Sequence, residues 1–217
     1  LKIYGIGGLG VDQRIFSELS LDFDLIPLEW IPPIGNEKIE VYATRFAKQI
    51  NAQEPFGIIG VSFGGMIAIE LNKILSPKLI ILISSATSKN DIPWTFRVLG
   101  KIGIFKKVPN FLIKPPPFLA NYLFGISHPK HKKTLRQIIA DTDTGFLRWA
   151  INQIAIWNNV NKPSNLIRIH GSSDRMLTFA EKDKVIAIPN GGHFMVVDKA
   201  DELSRILNQI LHESTIK

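Results

Sequence analysis

Residues 56–65 read Phe56-Gly57-Ile58-Ile59-Gly60-Val61-Ser62-Phe63-Gly64-Gly65 and continue into Met66-Ile67-Ala68-Ile69-Glu70-Leu71. The first part is an apolar run of strand length, and the part after Phe63 has the composition of a buried helix. One serine stands at the junction, with a glycine two positions before it and another two positions after. A strand delivered directly into a helix makes a sharp turn, and glycines there let neighbouring backbone pass where a Cβ would collide. The serine is thereby expected above the sheet with its hydroxyl presented outward. The five-residue pattern is short enough to recur by chance, so its weight comes from the strand-to-helix setting.

Outward from this stretch, short apolar runs alternate with segments of helical period. The runs cover 2–6, 23–28, 56–61, 79–84, 166–170 and 185–188, which predicts an α/β fold with a mainly parallel sheet of about six strands flanked by helices. Between the second and third runs, Ile39, Tyr42, Ala43, Phe46, Ala47 and Ile50 fall on one helical face. Near the end, Leu203, Ile206, Leu207, Ile210 and Leu211 repeat that pattern, with Asp198 or Asp201 as the expected helix cap. Both stripes read as core-facing surfaces.

The alternation stops between 87 and 160, where Pro109 and Pro115-Pro116-Pro117 cluster and no strand of the earlier kind is found. This predicts a core made of residues 1–86 and 161–217, with 87–160 as an inserted, mostly helical cap. The insert carries eight lysines and three arginines against three aspartates, more than the whole net charge of +7. Such a lobe reads first as a solvated surface, and second as a means of attracting an anionic substrate, an acidic carrier protein or a membrane surface. No nucleic-acid module accompanies the charge, so nucleic acid is not an expected partner.

A chain of 217 residues with 45% apolar and 21% charged residues has the composition of one globular domain with a substantial core. It has no cysteine, which excludes disulfides and thiolate metal sites. Apolar stretches such as Leu79-Ile80-Ile81-Leu82-Ile83 fall far short of the roughly 18 residues that suggest a bilayer span. A soluble, cytoplasmic protein is expected, with an exported form left open.

A serine hydroxyl is a poor nucleophile until a base takes its proton, and that base needs a third group to fix its tautomer. Two downstream loops offer both. After the run 166–170 comes Gly171-Ser172-Ser173-Asp174, and after the next run comes Gly191-Gly192-His193. Each places its polar residue just past the C-terminal end of a strand, at the same edge of a parallel sheet. The order Ser62, Asp174, His193 is that of a Ser-acid-His triad built on such a sheet.

With Gly60-Val61-Ser62-Phe63-Gly64-Gly65, His170-Gly171-Ser172-Ser173-Asp174 and Gly192-His193-Phe194 in place, the sequence resembles the α/β-hydrolase superfamily over nearly its whole length. The resemblance implies Ser62 as nucleophile, Asp174 as orienting acid, and His193 as general base and then acid. It also implies that 87–160 occupies the position of the family's cap. Two departures stand out: the usual first strand hairpin is absent, and Thr178 stands where a proline often follows the acid. The oxyanion donors implied are the backbone N–H of Phe63, next to the nucleophile, and that of Leu9, where Gly8 matches the family's glycine and Gly7 replaces its histidine. A second register, on Tyr4-Gly5, makes Ile6 the donor instead. Leu9 is preferred. The reading is an esterase-like serine hydrolase acting on a small molecule with an apolar acyl or alcohol part, with room for an anionic handle. No metal or organic cofactor is implied, and Trp94, Phe124, Trp149 and Trp157 of the insert are expected to bind substrate. Acyl transfer, C–C bond cleavage by the same triad, or ligand binding without catalysis are the alternatives.

Other residues have plainer readings. Gly5-Ile6-Gly7-Gly8-Leu9-Gly10, with Glu29 further on, matches a dinucleotide-binding fingerprint, but that reading leaves Ser62, Asp174 and His193 as accidents. His128 and His131 lie among lysines and read as solvated surface rather than a metal site. His170 reads as a structural hydrogen-bonding group. Asp141 and Asp143 read as turn and capping residues ahead of a helix, or as part of a pocket mouth.

Overall fold

The computed structural model describes residues 1–9, 11–126, 128–179 and 184–215. Six strands, β1 (Lys2–Ile6), β2 (Leu25–Leu28), β3 (Phe56–Val61), β4 (Leu79–Ile83), β5 (Leu166–Gly171) and β6 (Ile186–Ile188), form one sheet in the order β2-β1-β3-β4-β5-β6. Every pairing is parallel. The edge strands are shorter than expected: β2 begins at Leu25 and β6 at Ile186.

Successive side chains on a strand point to opposite faces, and both faces of the central strands are covered, so β3 and β4 are apolar and buried at every position. Tyr4, Ile6, Phe56, Ile58, Ile80 and Leu82 join a cluster with α1 (Ile39–Phe46) and α2 (Phe63–Asn72). Ile3, Ile59, Val61, Ile81, Ile83 and Ile169 face the other way, towards α9 (Met195–Asp198) and α10 (Ala200–Thr215). The apolar face expected for the first helix is buried at Ile39, Tyr42, Ala43 and Phe46, and the chain tightens into a 3-10 turn over Ala47–Gln49. Asp198 does not cap the last helix. It ends α9 and pairs with His131, while Asp201 lies in the first turn of α10. His131 is accordingly half-buried rather than solvated.

Between β4 and β5 the chain is helical: α3 (Trp94–Lys101), α4 (Ile104–Lys107), α5 (Asn110–Ile113), α6 (Pro117–Phe124), α7 (Pro129–Asp141) and α8 (Thr144–Ile156). Asp143 caps α8 by accepting from the Phe146 N–H at 2.7 Å. Phe146, Trp149 and Ala150 enter the first cluster, and Ala120, Ile126, Leu135 and Ile138 enter the second. Trp157, just past α8, is 2% exposed, and its indole N–H donates to Glu70 on α2 at 2.8 Å. Lys73 satisfies the same carboxylate at 2.7 Å. A buried carboxylate is costly unless its lone pairs are occupied. Trp157→Phe keeps most of the ring volume but removes one donor, and chemical denaturation is expected to show a loss of about 1–3 kcal/mol.

A polypeptide that runs β1 to β2 on one side and then crosses back to β3 leaves a crevice at the carboxyl ends of β1 and β3, where binding sites of open α/β sheets lie. Ser62 follows β3 directly, and the loop from Gly7 follows β1.

Candidate active site

Ser62 has φ 51° and ψ −118°, a conformation that non-glycine residues rarely adopt and that costs on the order of 1–3 kcal/mol. Its N–H donates to Ile83 O at 2.9 Å, and its carbonyl accepts from the Gly65 N–H at 3.0 Å and the Ser85 hydroxyl at 2.6 Å. These bonds hold the strained turn. The flanking glycines are required by close approach: a Cβ on Gly60 would lie 2.5 Å from Gly65 Cα, and one on Gly64 only 2.3 Å from Gly7 O.

The acid and histidine loops are stitched to each other. Ser172 N–H donates to Ile188 O at 3.0 Å and Ser173 N–H to Gly191 O at 2.9 Å, so the turns after β5 and β6 move as one. Asp174 and His193 are both buried, and His193 Nδ1 lies 2.8 Å from Asp174 Oδ2. Because that oxygen is an acceptor, Nδ1 carries the proton, and Nε2 is left to accept from the Ser62 hydroxyl at 2.9 Å. The three side chains singled out in the sequence thus form one continuous hydrogen-bonded chain.

Asp174 has four donors. Oδ1 accepts the N–H groups of Met176 at 2.8 Å and Leu177 at 3.0 Å, while Oδ2 faces His193 and also His170 Nε2 at 3.1 Å. His170 Nε2 must carry a proton, since its other neighbour is the Leu177 carbonyl at 2.8 Å. Burial works against the charge of Asp174. The hydrogen bonds from His170 and His193, the electrostatic pull of the His193 ring and the Leu177 amide outweigh it and hold the carboxyl well below the usual carboxylate range. Its contribution to stability is therefore complete above about pH 4, the unfolded value, and is lost as pH falls through the depressed folded value. The gap in Tm between the native chain and Asp174→Asn is expected to narrow from pH 7 to the acid side of pH 4, as followed by thermal unfolding.

Phe63 is the first residue of α2, where the N–H has no intrahelical acceptor and the helix dipole is positive. Across from it, a Cβ on Gly8 would lie 3.6 Å from Ser62 Cβ, so the loop bearing Leu9 runs alongside the serine. Ile6 lies in the β1 ladder, in register with Gly60 and Leu28, whereas Leu9 stands beyond it. The same loop leads into a four-residue 3-10 helix, Gln13–Phe16. A dinucleotide fingerprint needs a full helix N-terminus there for the pyrophosphate, so the glycine pattern has a different use.

Of the four aromatic residues expected to bind substrate, Phe124 lies edge-on to His193, with ring centroids 5.5 Å apart. Trp149 is buried edge-on to Phe63 at 5.8 Å and donates to Glu37 O at 2.8 Å. Trp157 is committed to the core beside Glu70, and Trp94 is 74% exposed on α3. Trp30 was not singled out in the sequence. It stacks on Phe63 at 5.5 Å, and its indole N–H is shared by Gly8 O and Val11 O, both at 3.1 Å, which braces the loop beside Ser62. Its only signal in the sequence is a place just after β2, on the same sheet edge as the other loops.

A cleft of about 820 Å3 opens between the loops after β1 and β2 and the α7–α8 junction. Asp12, Arg14, Trp30, Asp141, Asp143 and Phe146 are among its lining residues, and Arg14 bridges Asp12 and Asp141 across it. Ser62 does not line this cleft, but Trp30 joins the two regions by lining the cleft and stacking on Phe63. His128 caps α7 by accepting from the Lys130 N–H, and no cluster of three metal-ligating side chains occurs among the described residues.

Among curated proteins no sequence match is found. Solved structures do match. A thermophilic esterase from Thermogutta terrifontis, with malate bound, superposes with a TM-score of 0.68 at 13% identity, over 99% of this chain and 90% of that one. A lipase-esterase related protein from Clostridium acetobutylicum reaches 0.69 at 18% identity, over 96% and 93%, and MenH from S. aureus 0.70 at 15%, over 99% and 94%. At such identities the likeness carries the fold and no more. No helix among the described residues is long and apolar enough to cross a membrane. The model of the alpha/beta hydrolase family matches residues 24–206, from just ahead of β2 into α10, so that Ser62, Asp174 and His193 all fall within it. With the parallel sheet and the strand-to-helix serine turn already in view, this match over most of the sequence makes the chain a member of the alpha/beta hydrolase family.

Proposed function

We propose that the protein is a serine hydrolase that cleaves a carboxylic ester through an acyl-enzyme on Ser62. The observation that carries this reading is the unbroken chain Ser62–His193–Asp174, with its 2.9 Å and 2.8 Å links. As Ser62 Oγ attacks the carbonyl carbon, its proton passes to His193 Nε2, and Asp174 stabilises the imidazolium. The carbonyl oxygen becomes an oxyanion received by the N–H groups of Leu9 and Phe63. Collapse breaks the ester C–O bond, and the leaving alkoxide takes the proton from His193. Water then gives a proton to His193 as its oxygen bonds the acyl carbon, the acyl C–Oγ bond breaks to release the acid, and His193 returns the proton to Ser62 Oγ.

In this reading residues 87–160 act as the cap, and Phe124, against His193, borders the substrate. The cleft rim carries Asp12, Glu29, Asp141 and Asp143 against Arg14, which favours a neutral, apolar ester over an anionic one on that side. A fluorophosphonate probe tests the assignment. It is expected to label the native chain and not Ser62→Ala, and a panel of chromogenic esters of increasing acyl length then measures the pocket. Labelling that persists in Ser62→Ala, or a folded native chain that takes no label, overturns the proposal.

A further inference from the structure

Residues 92–140 contain nine lysines and arginines and no acidic residue. Half of the large apolar side chains exposed among the described residues lie within the same region, between Trp94 and Tyr122. Single exposed apolar residues are ordinary, but such a concentration marks an interaction surface. On α3, Trp94 and Val98, followed by Ile102 at its C-terminal cap, recur at helical spacing and point outward beside exposed Lys101. Gly100, on the buried side, packs so closely on α8 that a Cβ would lie 2.4 Å from Ala155 Cβ. The helix thus turns Phe96 and Gly100 towards the protein and shows a second apolar ridge to solvent, where a surface helix ordinarily shows a polar face. The next helices repeat this arrangement. Ile104 is exposed with Lys106 and Lys107 on α4, and Phe118 and Leu119 are exposed on α6 while Ala120 is buried.

We propose that the exposed side chains of segment 94–124 dock the protein on a membrane surface rich in anionic lipid. A second copy of this chain is a poor occupant, because a self-complementary contact would set lysines against lysines. An acidic protein answers the charge but not the interleaved large rings. A bilayer interface takes both, with Trp and Phe at headgroup depth and lysines on the phosphates. Since no described helix can span a bilayer, the docking is peripheral. The face is coupled to the site through the end of α6, where Phe124 O accepts the Phe194 N–H at 3.1 Å. The inference does not depend on the role of Ser62.

The test is co-sedimentation of the full chain with vesicles of phosphatidylcholine alone or mixed with phosphatidylglycerol. The native protein is expected to bind the mixed vesicles at least about tenfold better than the neutral ones. Lys101→Glu/Lys106→Glu/Lys107→Glu is expected to lower that binding about a hundredfold. Trp94→Ser/Phe118→Ser is expected to lower it about tenfold or more, a loss that persists in high salt. These side chains are exposed, and circular dichroism checks that the variants are folded. Independently of any variant, brominated lipid is expected to quench the emission of Trp94. Absence of binding to both vesicles, or equal binding by the native chain and both variants, overturns the proposal. So does a concentration-dependent dimer that both variants dissolve, or capture by an acidic protein without vesicle binding.

Discussion

Replacing Ser62 with alanine is expected to lower kcat for a chromogenic ester by about four to six orders of magnitude, the range for loss of a nucleophile in a Ser-His-Asp constellation. The geometry says why the loss falls on kcat. Ser62 Oγ is one end of a hydrogen-bonded chain in which, under the proposed mechanism, His193 takes its proton and Asp174 steadies the imidazolium, so an alanine leaves both folded with nothing to activate. His193→Ala is expected to cost nearly as much, and the double substitution scarcely more than either one, because the groups act as a unit. Asp174→Asn is expected to cost about 10⁴ in kcat, since an amide in place of Oδ2 can present an N–H to His193 and favour the wrong tautomer. Steady-state kinetics on the four variants, with circular dichroism to confirm their fold, makes the check. Activity in Asp174→Asn comparable to the native level would assign the orienting acid to another residue.

The second large effect concerns the turn itself. Gly64→Ala is expected to destabilise the protein by about 3 kcal/mol or more, because its Cβ would fall 2.3 Å from Gly7 O and 2.4 Å from Ile6 O. Both obstacles are backbone, so no rotamer relieves the clash. For a chain of this size the loss corresponds to a fall in Tm of about 6–12 °C, read by thermal unfolding. The relief available is to push β1 and the Gly7–Leu9 loop away from α2, which also withdraws the loop from Ser62. Activity at a temperature where the variant is still folded is therefore expected to fall as well. Gly35→Ala offers the contrast, because space around Gly35 is open and only its φ of 56° resists a side chain.

The strands and the three residues of the Ser62–His193–Asp174 hydrogen-bonded chain are readable because each gives a local signal. Leu79-Ile80-Ile81-Leu82-Ile83 is apolar at every position, as a strand covered on both faces must be, and the polar residues that meet at Ser62 each follow such a run within a few positions. The aromatic residues of 87–160 were not sortable in this way. Trp94 and Trp157 both stand at a helix end, yet one faces solvent and the other donates to Glu70. What separates them is the phase of short, proline-punctuated helices relative to α8 and α2, and a few turns of helix carry too little periodicity to fix that phase. His131 reads as surface until α7 folds against α9, because its partner Asp198 lies 67 positions away. Trp30 is illegible for a related reason: a tryptophan after a strand has no local signature of bracing a loop 19 to 22 residues upstream.

The register of β4 against β5 joins Ile80 to Leu166 across the whole helical segment, and the Ser84 N–H closes on Ile169 O. During synthesis the elbow serine leaves the ribosome more than a hundred residues ahead of Asp174 and His193. A nascent chain consequently carries the Ser62 hydroxyl without its imidazole partner, and the hydrogen-bonded chain closes only after the last strands zip onto the sheet.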